Sequence, residues 1–346
     1  MRHAGRKLAR VLASMMATSV LALGLLSLVA CSGTSYRLLT PTFSEFLLPT
    51  AQSGPGDITP GPDGALWFTE RVGDKIGRIT STGGIQEYPT PTDFKAPLHI
   101  TAGSDGNLWF TAQSSDVKRI GSITPTGQFL SGYIIPANND ISPASDLIGD
   151  ITSGPSSTIW FTDIGGNQIG RIAQKGGLNE FPIPTANSEP SRIVEGPDGA
   201  LWFTESKGNQ IGRITLNGSI TEYRIPTANC TPVGIAALPD GAIWFTERGA
   251  NQIGRLTPST GAIKEFPVKT ANSHLNSITA GPNGGSLYFT EFDGNNIGGA
   301  TPTGESLQEY PIPTTASRPL GITAGPNSTI WFAEYYGNKI GRITLT

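Results

Sequence analysis

The chain has 346 residues, 37% of them hydrophobic and 15% charged, a composition that supports a sizeable folded core rather than a disordered or fibrous chain. Its formal charge is −3, and removing residues 1–30 takes away four basic side chains and no acidic one, leaving 20 against 27 and a net of −7. No basic patch remains for nucleic acid, which excludes that class of partner.

Residues 1–31 differ from everything that follows. Arg2, Arg6, Lys7 and Arg10 precede an apolar run from Val11 to Leu28, and Leu28-Val29-Ala30-Cys31 ends in a small residue followed by cysteine. The pattern resembles a bacterial lipoprotein signal more than a plain signal peptide or a spanning anchor, because the cysteine sits directly after the small residue. The expectation is a signal peptide at 1–30, a lipidated tether at 31–42 starting with Cys31, and a folded domain at 43–346, so that the protein is exported and anchored to a bacterial membrane by lipid. Cys230 is the other cysteine. No intrachain disulfide is expected, and Cys230 reads as a small packed residue.

From residue 43 onward the chain repeats. Leu-Trp-Phe-Thr-Glu or a close relative recurs with its central aromatic at Trp67, Trp109, Trp160, Trp202, Trp244, Tyr288 and Trp331, in steps of 42, 51, 42, 42, 44 and 43 residues. That period, with only short strand-like runs inside it, predicts an all-β propeller of seven four-stranded antiparallel blades. In residues 190–225, Ser191–Val194 is one strand, Gly196-Pro197-Asp198-Gly199 a turn, Ala200–Glu205 the next strand, Ile211–Thr215 the third and Ile220–Ile225 the fourth. The 44 glycines and 27 prolines fall in phase with the turns, which argues for order. Phe43–Pro49 matches a fourth strand and Ile340–Thr344 a third, so the N-terminal strand is expected to complete the last blade and remove free edges. A solenoid would want polar capping repeats, and neither end has them. One closed propeller predicts a monomer.

Glu70, Asp163, Glu205, Glu247, Glu291 and Glu334 end the second strands, with Ala112 as the exception. A carboxylate ring can hold a hard cation. With Arg78, Arg171, Arg213, Arg255 and Arg342 on the third strands, the alternative is that these acids are blade-internal partners for arginine or for backbone N–H groups. Sites are better sought where the repeat breaks. Just before the first strands stand Gly56-Asp57, Leu98-His99, Gly149-Asp150, Ser191-Arg192, Val233-Gly234, Asn276-Ser277 and Leu320-Gly321, different in every blade and placed to face the channel mouth. His99, Asp150, Arg192, Asn276, Phe292, Arg318 and Tyr335, with Tyr336, are therefore candidates for a binding rim, and His274 for a base. A loop at 137–150 with Asp140, Asp146 and Asp150 is either a cap over the rim or a solvated insertion.

The tandem Gly-Pro-Asp-Gly-x-Leu-Trp-Phe-Thr-Glu, Gly-Asn-x-Ile-Gly-Arg-Ile-Thr and Glu-Tyr-Pro-Ile-Pro-Thr phrases over residues 43–346 resemble the virginiamycin B lyase (streptogramin lyase) family of seven-bladed propellers. The resemblance implies a magnesium-dependent elimination that opens the ester of a cyclic depsipeptide antibiotic, with a histidine base and glutamate metal ligands. The family's reactive segment resembles Glu-Pro-His-Gly-Ile, with a second histidine one blade earlier and a glutamate at the next second-strand end. Counted from the C-terminus, those roles fall on Arg318, Leu320, Asn276 and Glu334; in the blade that contains Glu-Pro they fall on Glu189, Ser191, Gly149 and Glu205. Neither register supplies the histidines. Two readings follow: an anchored propeller whose rim binds a peptide, glycan or protein, and a lyase using His274 as base with Glu189, Glu205 or Glu334 holding Mg2+.

Overall fold

The computed structural model describes residues 41–114, 117–137, 147–173, 176–282 and 284–345. The signal at 1–30, Cys31, the tether up to residue 40, and Asp140 and Asp146 of the insertion lie outside the described residues. Among those described, the strands form seven four-stranded antiparallel sheets. The first strands of the blades are Pro55–Pro60, Pro97–Ala102, Ile148–Gly154, Pro190–Glu195, Pro232–Ala237, Leu275–Ala280 and Pro319–Gly325. Each packs beside the first strand of the next blade, and the seventh packs beside the first, so the sheets form a closed ring around an axis. The seventh blade takes its fourth strand from the N-terminal side: Pro41–Leu47 pairs with Lys339–Leu345, beginning two residues earlier than the predicted boundary at 43.

The repeated phrases have separate physical jobs. In the second strand the Trp and Phe point to opposite faces, as strand alternation requires, and both are buried except Trp109, which is partly covered. The aromatic of one blade then packs in a cluster with the Phe of the next: Trp67 with Phe110, Trp160 with Phe203, Trp202 with Phe245, Trp244 with Phe289, Tyr288 with Phe332 and Trp331 with Phe68. The glycine of Ile-Gly-Arg makes room for this. At Gly77, which pairs with Phe68, an added Cβ would lie 2.1 Å from the ring.

The arginine of the same phrase serves the outer part of the blade. Arg78 pairs in register with Trp67 and donates from Nε to Asp63 at 2.6 Å, while Trp67 Nε1 donates to the same aspartate at 3.0 Å. Arg213, Trp202 and Asp198 repeat the arrangement. Arg171, Arg255 and Arg342 lie over Trp160, Trp244 and Trp331. The alternative of acid–arginine pairs along the second-strand ends is therefore overturned: these arginines serve the turn aspartate and the tryptophan face, a cation–π and charge-assisted arrangement.

Deleting residues 41–47 should leave Lys339–Leu345 as an unpaired edge and remove Phe46, which stacks on Trp331 at 5.6 Å. The expected outcome is loss of a single sharp transition in a calorimetric melt, with aggregation. A deletion variant that melts within about 3 °C of the parent would show that this strand contributes less than about 1 kcal/mol.

Candidate functional site

The non-repeating pairs lie inside the first strands rather than before them. In all seven blades the antiparallel register with the second strand shifts there, for example between Pro55 and Ile58 and between Pro190 and Ile193; a β-bulge of this kind re-aims side chains. In six blades the second-strand threonine fixes the bulge; the seventh has Ala333 there. Thr69 Oγ1 accepts from the Asp57 amide at 2.9 Å and donates to the carbonyl of Leu98 in the next blade at 3.1 Å. The same double bond is made by Thr111, Thr162, Thr204, Thr246 and Thr290.

Four consecutive blades bring charge to the axis. Arg192 Nη1 lies 3.3 Å from Asp57 Oδ1 and 3.3 Å from Asp150 Oδ1, while His99 Nδ1 lies 3.4 Å from Asp57 and 3.5 Å from Asp150. The Ile100 and Ile193 amides donate to the remaining oxygens of Asp57 and Asp150 at 3.2 and 3.0 Å. Burial alone would raise the Asp57 carboxyl, but Arg192, then His99 and the Ile100 amide, hold it well below the usual carboxylate range. Asp57, His99 and Asp150 offer ligand atoms within 4.8 Å of one another, a spacing suited to a metal ion. Here Arg192 supplies the positive charge between the two carboxylates, so an ion would have to displace a guanidinium.

Above this cluster opens a cavity of about 320 Å³, lined among others by Arg71, His99, Arg192, Arg248, Asn276 and Leu320. The predicted rim residues thus divide. His99, Arg192 and Asn276 face this cavity, and Asp150 supports it through Arg192. Phe292 and Arg318 form a second group: the Arg318 guanidinium lies 5.1 Å from the Phe292 ring and 5.1 Å from that of Tyr336, and Tyr335 packs edge-on against Tyr336 at 5.1 Å. His274 belongs there too. Its Nδ1 is 2.5 Å from Asp293 Oδ2, and Arg318 Nε is 3.3 Å from the other oxygen. Asp293, Arg71 and Arg248 were not singled out from sequence. The signal existed for the arginines, because the residue after the second strand is Arg71, Gln113, Ile164, Ser206, Arg248, Phe292 and Tyr335, as varied as the bulge positions.

The candidate metal glutamates sit apart from the cavity lining. Glu189 is exposed on the rim, with Lys207 at 3.6 Å, whereas Glu205 and Glu334 are fully buried. Both carboxyl oxygens of Glu205 and Glu334 lack a hydrogen-bond partner, and so do those of Glu70, so this is a property of the repeat and not of one centre. Burial first, and then Glu222 beside Glu205 and Glu45 beside Glu334, push these two acids up to about 8. Burial likewise pushes Glu70, Glu247 and Glu291 up to about 7. Asp163 is the exception in its pairing, bound by Lys118 Nζ at 2.8 and 2.9 Å.

These raised values have a pH consequence. An unfolded glutamate titrates near 4.5, so between that pH and about 8 the folded chain holds protons that the unfolded chain releases, and stability falls as pH rises through this window. Glu205→Gln, isosteric with the protonated acid, should leave the melting temperature at pH 5 nearly unchanged. It should raise stability at pH 9 by on the order of 2 kcal/mol. Equal pH profiles for the two proteins would show that Glu205 is not held protonated.

The virginiamycin B lyase family matches residues 37–191 and 138–346. A streptogramin B lyase structure is 38% identical, with a TM-score of 0.81, covering 88% of this chain and 98% of that one. A catalytically inactive histidine-to-alanine form of virginiamycin B lyase from Staphylococcus aureus, solved with quinupristin, is 40% identical with a TM-score of 0.80, covering 89% of this chain and all of that one. A curated virginiamycin B lyase from Bordetella bronchiseptica is 39% identical over 51 residues, a match spanning 15% of this chain and 17% of that protein.

Proposed function

We propose that this chain, which belongs to the virginiamycin B lyase family, is an exported, lipid-anchored binding protein that holds a peptide, glycan or protein ligand at the mouth of its channel without turning it over. The observation that carries this reading is the set of seven residues entering each bulge: Gly56, Leu98, Gly149, Ser191, Val233, Asn276 and Leu320. None has a side chain that accepts a proton at neutral pH. Elimination needs a base beside the proton that leaves, and the S. aureus relative is described as catalytically inactive when a histidine becomes alanine. The resemblance places its histidines at Leu320 and Asn276, or at Ser191 and Gly149.

One observation favours the lyase as a second reading. His274 Nδ1 is engaged by Asp293, which leaves Nε2 to accept a proton, and Asp293 would stabilise the imidazolium that forms. The residues do not fit magnesium equally well. One register puts Arg318, a fixed cation, at a metal position; the other pairs exposed Glu189, engaged by Lys207, with fully buried Glu205.

Incubating the purified protein with a streptogramin B-type depsipeptide, with and without magnesium, separates the readings by mass spectrometry. The expected result is an intact cyclic species. Linearisation to an unsaturated product that is lost in His274→Ala would overturn the binding reading in favour of the lyase. The anchor is tested separately by fatty-acid labelling: Cys31→Ser should abolish the label and release a folded protein from the membrane fraction, and an unlabelled parent would remove the lipid from this proposal.

A further inference from the structure

We infer that the axial cavity takes a carboxylate carrying a short apolar group, gripped between Arg71 and Arg248. This deepens the binding reading above and rests on it.

The cavity wall is cationic to an unusual degree for an acidic protein. Arg71, Arg192, Arg248 and His99 all line it, and no aspartate or glutamate does. The two acids of the axial cluster, Asp57 and Asp150, are 7% exposed and turned onto Arg192, which they neutralise. Arg71 and Arg248 are held less closely: among the described residues neither has an acid within ion-pair distance, and Asp57 and Tyr335 attract Arg71 only from farther away. The stem of Arg71 lies over Gly56, where an added Cβ would fall 2.8 Å from its Cδ, so the glycine is what lets this side chain lie across the bulge toward the cavity. Arg248 comes from the fifth blade, its guanidinium 5.9 Å from the Phe292 ring. With Arg192, three arginines stand against two aspartates around the axis, a surplus of one positive charge that a monoanion would balance.

Shape and lining narrow the class. About 320 Å³ lies at the small end of ligand pockets, room for one amino-acid-sized group and not for a polymer. Leu98, Val233 and Leu320 supply an apolar wall, and Asn276 and Ser191 supply neutral polar groups. A planar guanidinium fork matches a carboxylate with two parallel hydrogen bonds. The C-terminal residue of a peptide and a free acyl acid share this chemistry.

Calorimetric titration of the full-length protein at low salt, with acetyl-leucine, acetyl-leucinamide, hexanoate and inorganic phosphate as separate probes, tests the inference. Acetyl-leucine should bind at one site, the neutral amide at least about tenfold more weakly, and Arg71→Gln or Arg248→Gln should each weaken the acid by about tenfold. Arg248→Lys should recover part of that loss, which guards against a variant that merely unfolds. Acetyl-leucine tighter than hexanoate identifies a peptide end, and the reverse identifies an acyl acid. The inference falls if the acid does not bind, if the amide binds as well, if phosphate binds as tightly as acetyl-leucine, or if folded arginine variants keep full affinity. Linearisation of the depsipeptide would overturn the non-catalytic reading while leaving the acid-against-amide comparison to decide this one. Retention of the cyclic depsipeptide without acetyl-leucine binding would do the opposite.

Discussion

The whole axial site hangs on one hydroxyl per blade. A bulge in a first strand leaves its amide without a ladder partner, and a buried unpaired amide costs on the order of 1–3 kcal/mol. The threonine of Trp-Phe-Thr-Glu answers this by accepting from the bulge amide of its own blade and donating to the bulge carbonyl of the next, as Thr204 does between Arg192 and Val233. The residue that most affects what the channel presents is therefore one that six of the seven repeats share. It holds Asp57, His99, Asp150 and Arg192 in fixed directions while their identities vary freely. The seventh blade has Ala333 at this position yet keeps the same register shift, and Gly321 comes so close to the first blade that an added Cβ would lie 2.7 Å from the Asp57 Cα.

Much of this fold was legible because each repeated residue answers a local requirement. Period and strand length gave the blades, and the offset between third- and fourth-strand phrases pointed to the N-terminal strand as the partner of the last one, where Pro41–Leu47 lies. The pairing of the acids was misread because correlation between blades was taken for contact. In the hairpin Glu70 opposes Lys75, while Arg78 opposes Trp67 three residues farther along, roughly 10 Å away at strand spacing. Hairpin register alone would have separated them. What the glutamates do instead, remaining buried with their carboxyls pushed up from the usual range, depends on how tightly neighbouring blades close over them, which no single blade reveals.

The site was partly legible for the same reason. Residues that break a repeat have no shared structural duty, so variation at the bulge marked Asp57, His99, Asp150 and Arg192 as facing the axis. Sequence order could not show that Asp57 and Arg192, 135 positions apart, meet across the channel. Nor could it divide His274, Phe292 and Arg318 from the cavity residues, because that depends on where Asp293 turns in the loop after its strand.

The position of the cavity follows from the division of the ring into two unlike arcs. Blades one to four place Asp57, His99, Asp150 and Arg192 on the axis, where mutual pairing offsets the cost of removing charge from water. Blades five to seven place Gly234, Ser277 and Gly321 there. At Gly234 an added Cβ would lie 2.4 Å from the Asn276 carbonyl oxygen, so these inner strands approach too closely for a side chain to plug the channel from that side. The charged arc thus forms a floor on one side, and the small-residue arc leaves an opening beside it. Arg71 and Arg248 project into that opening from positions outside the bulge, with no acid at ion-pair distance, and the three arginines outnumber the two axial aspartates, which leaves the cavity with positive charge to offer a ligand.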